Sequence, residues 1–146
     1  MARIGILTCS NAPQDLGCSS VVCLADLRKR KGAFASYPEQ EVLTLVGLIN
    51  CPGCPTVTGA DKLLNRVRAL TEFRVDAVHL AFCMKALCPF TNKYLSALNE
   101  AFPHIRFVVG THEEKETVEA YRERVKRLFN QPPKSMVDVI LGRDVD

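Results

Sequence analysis

The stretch Ile4-Gly-Ile-Leu-Thr-Cys9 sets the pattern of this chain, because it is a short apolar run that stops at a cysteine. Runs of this length without polar alternation are typical of strands that are covered on both faces of a sheet. Similar runs occur at Val42–Ile49, Ala77–Ala81 and Ile105–Val109. The sequence therefore predicts four strands, of which Ile4–Thr8 is the first.

Segments with helical spacing of apolar residues lie between these runs. One segment, from Val57 to Leu70, carries apolar side chains at steps of three and four. The segments Tyr94–Phe102 and Val118–Leu128 show the same spacing, and a first helix is expected from Ser19 or Ser20 to about Lys31. This alternation of strands and helices predicts an α/β fold.

Two capping-box patterns give more exact expectations for where helices begin. Thr58 is followed three residues later by Asp61, and Thr111 by Glu114. In such a pair the hydroxyl and the carboxylate satisfy backbone N–H groups of the first helical turn. The pattern predicts that helices begin just after Thr58 and just after Thr111.

The connections have the length of parallel crossovers, so the four strands are expected to form one parallel sheet with helices on both faces. The predicted strand order is 2-1-3-4, as in flavodoxin-like sheets. One domain is expected over residues 1–130, because 146 residues suit a single core. Residues 131–146 are expected to be a tail, in which 136–141 is a candidate edge strand.

Composition excludes several classes of protein. With 47% hydrophobic and 24% charged residues the chain is not intrinsically disordered, and it lacks the ~20-residue apolar run of a membrane span. The net charge of +3 is too small for a nucleic-acid partner without a clustered basic face. The N-terminus lacks the pattern of a secretory signal, so a cytoplasmic location with reduced thiols is expected.

Seven cysteines are the unusual feature of the composition, and their odd number suits a closed disulfide framework poorly. They fall in connections that follow strands, or in the first turn of the next helix, and these connections share the carboxyl edge of a parallel sheet. Cys9 ends the first strand, Cys51 and Cys54 follow the second, Cys83 and Cys88 follow the third, Cys18 and Cys23 flank the start of the first helix, and His112 follows the fourth strand.

Thiols gathered at one edge predict a site for a soft metal, either zinc or an iron–sulfur cluster. The Cys51-Pro-Gly-Cys54 spacing suits two ligands of one metal, and Cys9 and Cys83 on neighbouring strands are expected to complete the set. Cys88 is the expected substitute. The predicted metal ligands are Cys9, Cys51, Cys54, Cys83, Cys88 and His112, with Cys18 and Cys23 in second rank.

The ordered set of these motifs resembles the CGGC-domain family of bacteria and archaea. The resemblance runs from about Met1 to His112 and includes Lys31-Gly-Ala-Phe34, Cys51-Pro-Gly-Cys54, His79-Leu-Ala-Phe-Cys83 and Gly110-Thr-His112. Pro52 stands where the family's name has its first glycine. The resemblance implies metal binding, with zinc as the expected metal, and it supplies no reaction.

A thiol–disulfide redox protein is the alternative from the residues themselves. Cys51 and Cys54 follow a strand and precede a helix, so a lowered pKa is expected for Cys51 at the helix N-terminus. Against this alternative, the chain lacks a segment that suits the antiparallel hairpin of a thioredoxin fold. A cysteine phosphatase is excluded because no arginine follows Cys9 at the required spacing, and no glycine-rich nucleotide loop is present.

Overall fold

The computed structural model describes residues 1–54, 60–129 and 140–141, and for residues 128 and 129 the backbone alone. Its sheet has four parallel strands in the order β2-β1-β3-β4, which confirms the predicted order. Each strand lies within two residues of its predicted limits. The strands are β1 (Ala2–Thr8), β2 (Leu43–Asn50), β3 (Ala77–Leu80) and β4 (Arg106–Val109).

Helices connect these strands, as the apolar spacing predicts. Three short elements of five or six residues were not predicted, because so few residues cannot display a helical period. The elements in the described part of the chain are α1 (Asn11–Asp15), α2 (Val21–Lys29), a 3-10 helix (Gly32–Ser36), α3 (Asp61–Thr71), α4 (Phe82–Leu87), α5 (Thr91–Ala101) and α6 (Val118–Phe129).

The apolar core is divided by the sheet into two layers. Ile4 and Ile6 of β1 pack with α2 and the 3-10 helix on one side, where Phe34 is fully buried. Leu7 points to the other side, among Leu63 of α3 and the residues of α5. Because residues 4–8 of β1 are buried on both faces, this part of the strand needs an uninterrupted apolar run.

The capping-box prediction at Thr111 was wrong. Helix α6 begins seven residues later, at Val118, and the hydroxyl of Thr117 accepts a hydrogen bond from the N–H of Ala120 at 3.1 Å. Thr111 is instead fully buried, and its hydroxyl oxygen accepts the N–H of Phe82 at 3.2 Å. The side chain of Thr111 therefore makes a tertiary contact, although the local pattern predicts that it caps a helix.

Two further predictions concern segments at the limits of the described residues. Helix α3 begins at Asp61, later than the Val57 of the apolar pattern, and the predicted cap Thr58 lies outside the described residues. The candidate edge strand at 136–141 lies outside them too, apart from Ile140 and Leu141. Of the helices that are described, none has the length and apolar character needed to span a membrane.

Candidate metal centre at the carboxyl edge of the sheet

The three strand-ending cysteines lie at the same edge of the sheet. Cys9 directly follows β1, and Cys51 directly follows β2, where its N–H donates to the carbonyl of Thr8 at 2.7 Å. Cys83 lies in the first turn of α4, three residues beyond the end of β3. The sheet edge thus presents thiols from three adjacent strands, as the order 2-1-3-4 requires. Each of the seven cysteines is a free thiol.

Four of these thiols line one cavity of about 380 Å³, which we call the thiol cavity. Cys9 and Cys51 are buried, with exposed fractions of 8% and 4%, whereas Cys54 is exposed at the rim. Cys88, the residue that directly follows α4, also lines this cavity. Arg122 and Lys126 of α6 also line this cavity, so cationic groups accompany its thiols.

Two of these thiols, Cys51 and Cys54, have pKa values that depend on charge at the others. The pKa of Cys51 is raised chiefly by burial, and negative charge on Cys54, Cys88 or Cys9 would raise it further. The pKa of Cys54 is likewise raised by burial and by charge on Cys88 and Cys9. Such mutual repulsion means that a cation among the thiols would favour their deprotonated forms.

The expected lowering of the Cys51 pKa was therefore wrong. The prediction assumed that Cys51 lies at a helix N-terminus, where backbone N–H groups stabilise a thiolate. In the structure α3 begins ten residues after Cys51, too far for its dipole to act on this thiol. Because the thiol is buried, the pKa of Cys51 is raised instead.

The remaining cysteines line a second and larger cavity, of about 640 Å³, on the other side of Leu16 and Val125. We call it the switch-point cavity, because it opens between the carboxyl ends of β1 and β3. Its wall includes the other three thiols and a histidine. These residues are Cys18, Cys23, Cys83 and His112.

Cys83 lies between the two cavities, and it does not line the thiol cavity. Its sulfur accepts the N–H of Cys9 at 3.3 Å, and burial raises its pKa to about 12. Charge on Cys9, Cys23 or Cys18 would raise that pKa further. At neutral pH the Cys83 thiol is therefore protonated and serves as a polar wall between the cavities.

Cys23 is a buried residue of α2, and His112 lies in the loop that follows β4. The S–H of Cys23 donates to the hydroxyl of Thr111 at 3.3 Å, and burial raises the pKa of this thiol. The carboxylate of Asp26, also in α2, accepts the N–H of Glu113 at 2.9 Å. This hydrogen bond holds the loop that carries His112 against α2. His112 packs edge-on against Phe82, and its Nδ1 donates to the Glu113 carbonyl at 2.9 Å.

The structure therefore brings Cys9, Cys51, Cys54 and Cys88 to one cavity, whereas Cys83 and His112 line the other, with Cys83 in contact with Cys9. Residues 1–54, 60–129 and 140–141 contain no group of three or more Cys, His, Asp or Glu side chains arranged so that it could hold a metal ion as it stands. The donors nevertheless fit a soft metal in chemical type and number, since four thiols are the ligand set of a closed zinc site.

Sequence analysis missed the part that α6 contributes to both cavities. Arg122 and Lys126 line the thiol cavity, whereas Tyr121, Arg124 and Arg127 line the switch-point cavity. The signal was present as a helical stripe in which the basic residues occur late in the helix. A stripe of charge on an amphipathic helix is, however, most often solvated, so the pattern alone does not indicate a site.

The sequence matches a known family over most of its length. A model of the CGGC domain matches residues 3–112, which contain all seven cysteines and His112. The chain belongs to the CGGC domain family. A relative in Methanocaldococcus jannaschii, the uncharacterized protein MJ0582, is 29% identical, and the alignment covers 75% of this chain and 86% of that protein. No solved structure matches the chain.

The CGGC match ends before α6 begins. The thiols and the loop that carries His112 thus belong to the family's part of the chain, whereas the residues of α6 that line both cavities lie outside it. The two cavities are built partly from the CGGC domain and partly from the segment that follows it.

Proposed function

We propose that this protein binds a soft metal ion through thiolates at the carboxyl edge of its sheet. The observation that carries the proposal is the thiol cavity, in which Cys9, Cys51, Cys54 and Cys88 approach from three separate connections and interact electrostatically. Independent buried cysteines would not gather in this way. Membership of the CGGC domain family supports the same function.

Zinc is the proposed metal, and an iron–sulfur cluster is the alternative. Both take four thiolates, and neither magnesium nor calcium suits sulfur ligands. Each thiol gives up its proton on binding, and the four side chains must turn toward one another to surround the ion. Cys83 and His112 are further candidate ligands, with Cys18 and Cys23 behind them.

Elemental analysis of protein purified with and without oxygen tests this function. Zinc near one equivalent per chain supports the proposal as stated. Iron and sulfide in equal amounts, with a visible absorbance band, would favour the cluster. Protein that stays metal-free after incubation with either zinc or iron and sulfide would contradict metal binding altogether.

Single cysteine variants test which thiols hold the metal. We expect Cys51→Ser, Cys54→Ser and Cys88→Ser each to lose most of the bound metal, because a serine hydroxyl is a poor ligand for a soft ion. Cys23→Ser is the matched control and should keep its metal, since its thiol faces the core and Thr111. Metal content measured on the purified variants decides this, and equal content in all four would place the site elsewhere.

Thiol counting gives a second and independent prediction. Removal of the metal by a chelator should expose about four additional reactive thiols per chain, because four thiolates leave the ion together. Once bare, Cys51 and Cys54 should oxidise to a disulfide in air. A reactive-thiol count that does not change on chelation would show that no metal protects these groups.

A thiol–disulfide redox protein stays the second candidate. It is favoured by the pairing of a buried Cys51 with an exposed Cys54, since a redox pair needs one accessible thiol. The raised pKa values of both thiols weaken this alternative, because the attacking group is the thiolate. A metal-free protein with a reversible Cys51–Cys54 dithiol titration would favour it.

A further inference from the structure

The switch-point cavity has the location of a ligand site. In the strand order β2-β1-β3-β4, the connection after β1 runs to β2 on one side of β1, whereas the connection after β3 runs to β4 on the other side. The two connections therefore diverge at the carboxyl ends of β1 and β3. In open α/β sheets the crevice at such a point is where ligands bind. Thr8 at the end of β1 and Ala81 just beyond β3 both line this cavity.

The body of the cavity is apolar and large enough for a small organic molecule. At about 640 Å³ its volume lies within the range of small-molecule sites. The walls come from different elements and are mostly hydrocarbon or aromatic, which favours a ligand with an apolar body. These wall residues include Ala12, Leu16, Val21, Phe82 and Val125.

One end of the cavity favours a negative charge. The first turn of α2 opens onto it, and this turn has neither an acidic residue nor a side-chain cap, so its N–H groups and dipole are uncompensated. Ser20, the residue before α2, is 8% exposed. Its hydroxyl forms no hydrogen bond with another described residue and keeps access to solvent, so a ligand in the cavity could accept a hydrogen bond from it.

The charged side chains of α6 point to the same conclusion. Glu116 is the one carboxylate among the described residues of the wall, and Arg124 pairs with it at 2.9 Å. Arg127 lies within 4 Å of no carboxylate in the described part of the chain. Glu123, one turn earlier, pairs with Lys126, and the charge of Arg127 is the last of the causes that lower the pKa of Glu123, after that pairing. A positive charge is therefore left over at the cavity.

We propose that the switch-point cavity binds a small organic acid: an apolar body seated between β1 and β3, with its anionic group at the start of α2. The hydroxyl of Ser20 and the N–H groups of α2 donate to the anion, and Arg127 supplies the balancing charge. The bound molecule would lie next to Cys83, which is hydrogen-bonded to Cys9 of the thiol cavity.

Octanoate is a suitable probe, with 1-octanol as its uncharged counterpart of equal chain length. The fluorescent apolar anion 8-anilinonaphthalene-1-sulfonate reports binding, and the chain contains no tryptophan to interfere. We expect one saturable site per chain, from which octanoate displaces the dye at a concentration about tenfold lower than 1-octanol does. Equal displacement by the two compounds would overturn the recognition of an anion.

Two variants test the residues named. Ser20→Ala and Arg127→Gln should each weaken octanoate binding about fivefold. Ser96→Ala on α5 and Arg68→Gln on α3 are matched controls, since both residues are exposed and neither lines the cavity. If Ser20→Ala fails to fold, the exposed Arg127→Gln still decides the question. Unchanged binding in Arg127→Gln, or equal weakening in Arg68→Gln, would overturn the proposal.

A further variant separates this inference from the proposed function. Cys54→Ser is expected to lose metal, yet it should bind octanoate as tightly as the unaltered chain, because Cys54 lines only the thiol cavity. Metal content and octanoate affinity are measured on the same preparation. In the unaltered chain, absence of metal with intact octanoate binding would contradict the proposed function alone. Bound metal without octanoate binding would contradict this inference alone.

Discussion

Replacing Gly32 by alanine should destabilise the protein by about 3 kcal/mol or more. Gly32 has a φ of +58°, a region in which an L residue costs roughly 1–2 kcal/mol. A Cβ at this position would also lie 2.4 Å from the Thr111 carbonyl oxygen and 2.5 Å from the His112 carbonyl carbon. Both contacts are with backbone, so the loop after β4 would have to move. Urea unfolding measures the change in the free energy of unfolding.

Gly17 is the matched control for this prediction. Its φ of +68° is as unfavourable for alanine as that of Gly32, but nothing lies within 4 Å of a Cβ built there. Gly17→Ala should therefore cost only the backbone term, about 1 kcal/mol. If the two variants lose equal stability, the close approach of Gly32 to the His112 loop contributes nothing.

Acidification should remove about 3 kcal/mol of stability through His79. This side chain is fully buried; its Nδ1 donates to the Gly110 carbonyl at 2.8 Å, and its Nε2 accepts the hydroxyl of Tyr37 at 2.8 Å. Burial lowers its pKa to about 4, with a smaller contribution from the charge of Arg106. In the unfolded chain the pKa is about 6.5.

The direction of the pH effect follows from these two values. Between about pH 6.5 and 4 the unfolded chain binds a proton that the folded protein refuses, so stability falls as the pH falls through this range. The stability that the neutral His79 contributes is fully present above pH ~6.5, the pKa of the histidine in the unfolded chain. The pKa difference of about 2.5 units between the folded and unfolded states corresponds to about 3 kcal/mol in the free energy of unfolding. Urea unfolding at several pH values from 7.5 to 4.5 follows this loss.

His79→Asn isolates the contribution of the histidine. Its amide can still donate to Gly110, whereas Tyr37 loses its partner, so the variant should be less stable at pH 7.5. Its stability should also change less with pH, since the carboxylates titrate alike in both proteins. His104→Asn, at an exposed position, should behave like the unaltered chain. A constant difference between His79→Asn and the unaltered chain at every pH would contradict the prediction.

Much of the fold was predictable because its signals are local in the sequence. An apolar run such as Ile4–Thr8 must be covered on both faces, and crossovers between such runs make the strands parallel. His79 could also be recognised as a buried core histidine, because it lies inside such a run. The shortest helices were not predictable, since a helix such as α4 spans less than two turns and shows no period.

The site was predictable only in part. The order of strands and the position of each cysteine after its strand were enough to predict that Cys9, Cys51 and Cys83 reach one edge. The partition into two cavities was not predictable, because it depends on the turn of α4, which carries Cys88 toward Cys51 and leaves Cys83 on the other side. Spacing along the chain does not determine on which side of a short helix a thiol lies.

The sequence by itself determined a four-stranded α/β fold and the edge at which the thiols gather, because hydrophobic periodicity and chain connectivity act over a few residues at a time. Only the tertiary structure decided which thiols share a cavity, what their pKa values are, and that α6 lines both cavities. Burial and charge interactions depend on distances between residues far apart in the chain, such as Cys9 and Cys83. Those distances exist only once the elements have packed.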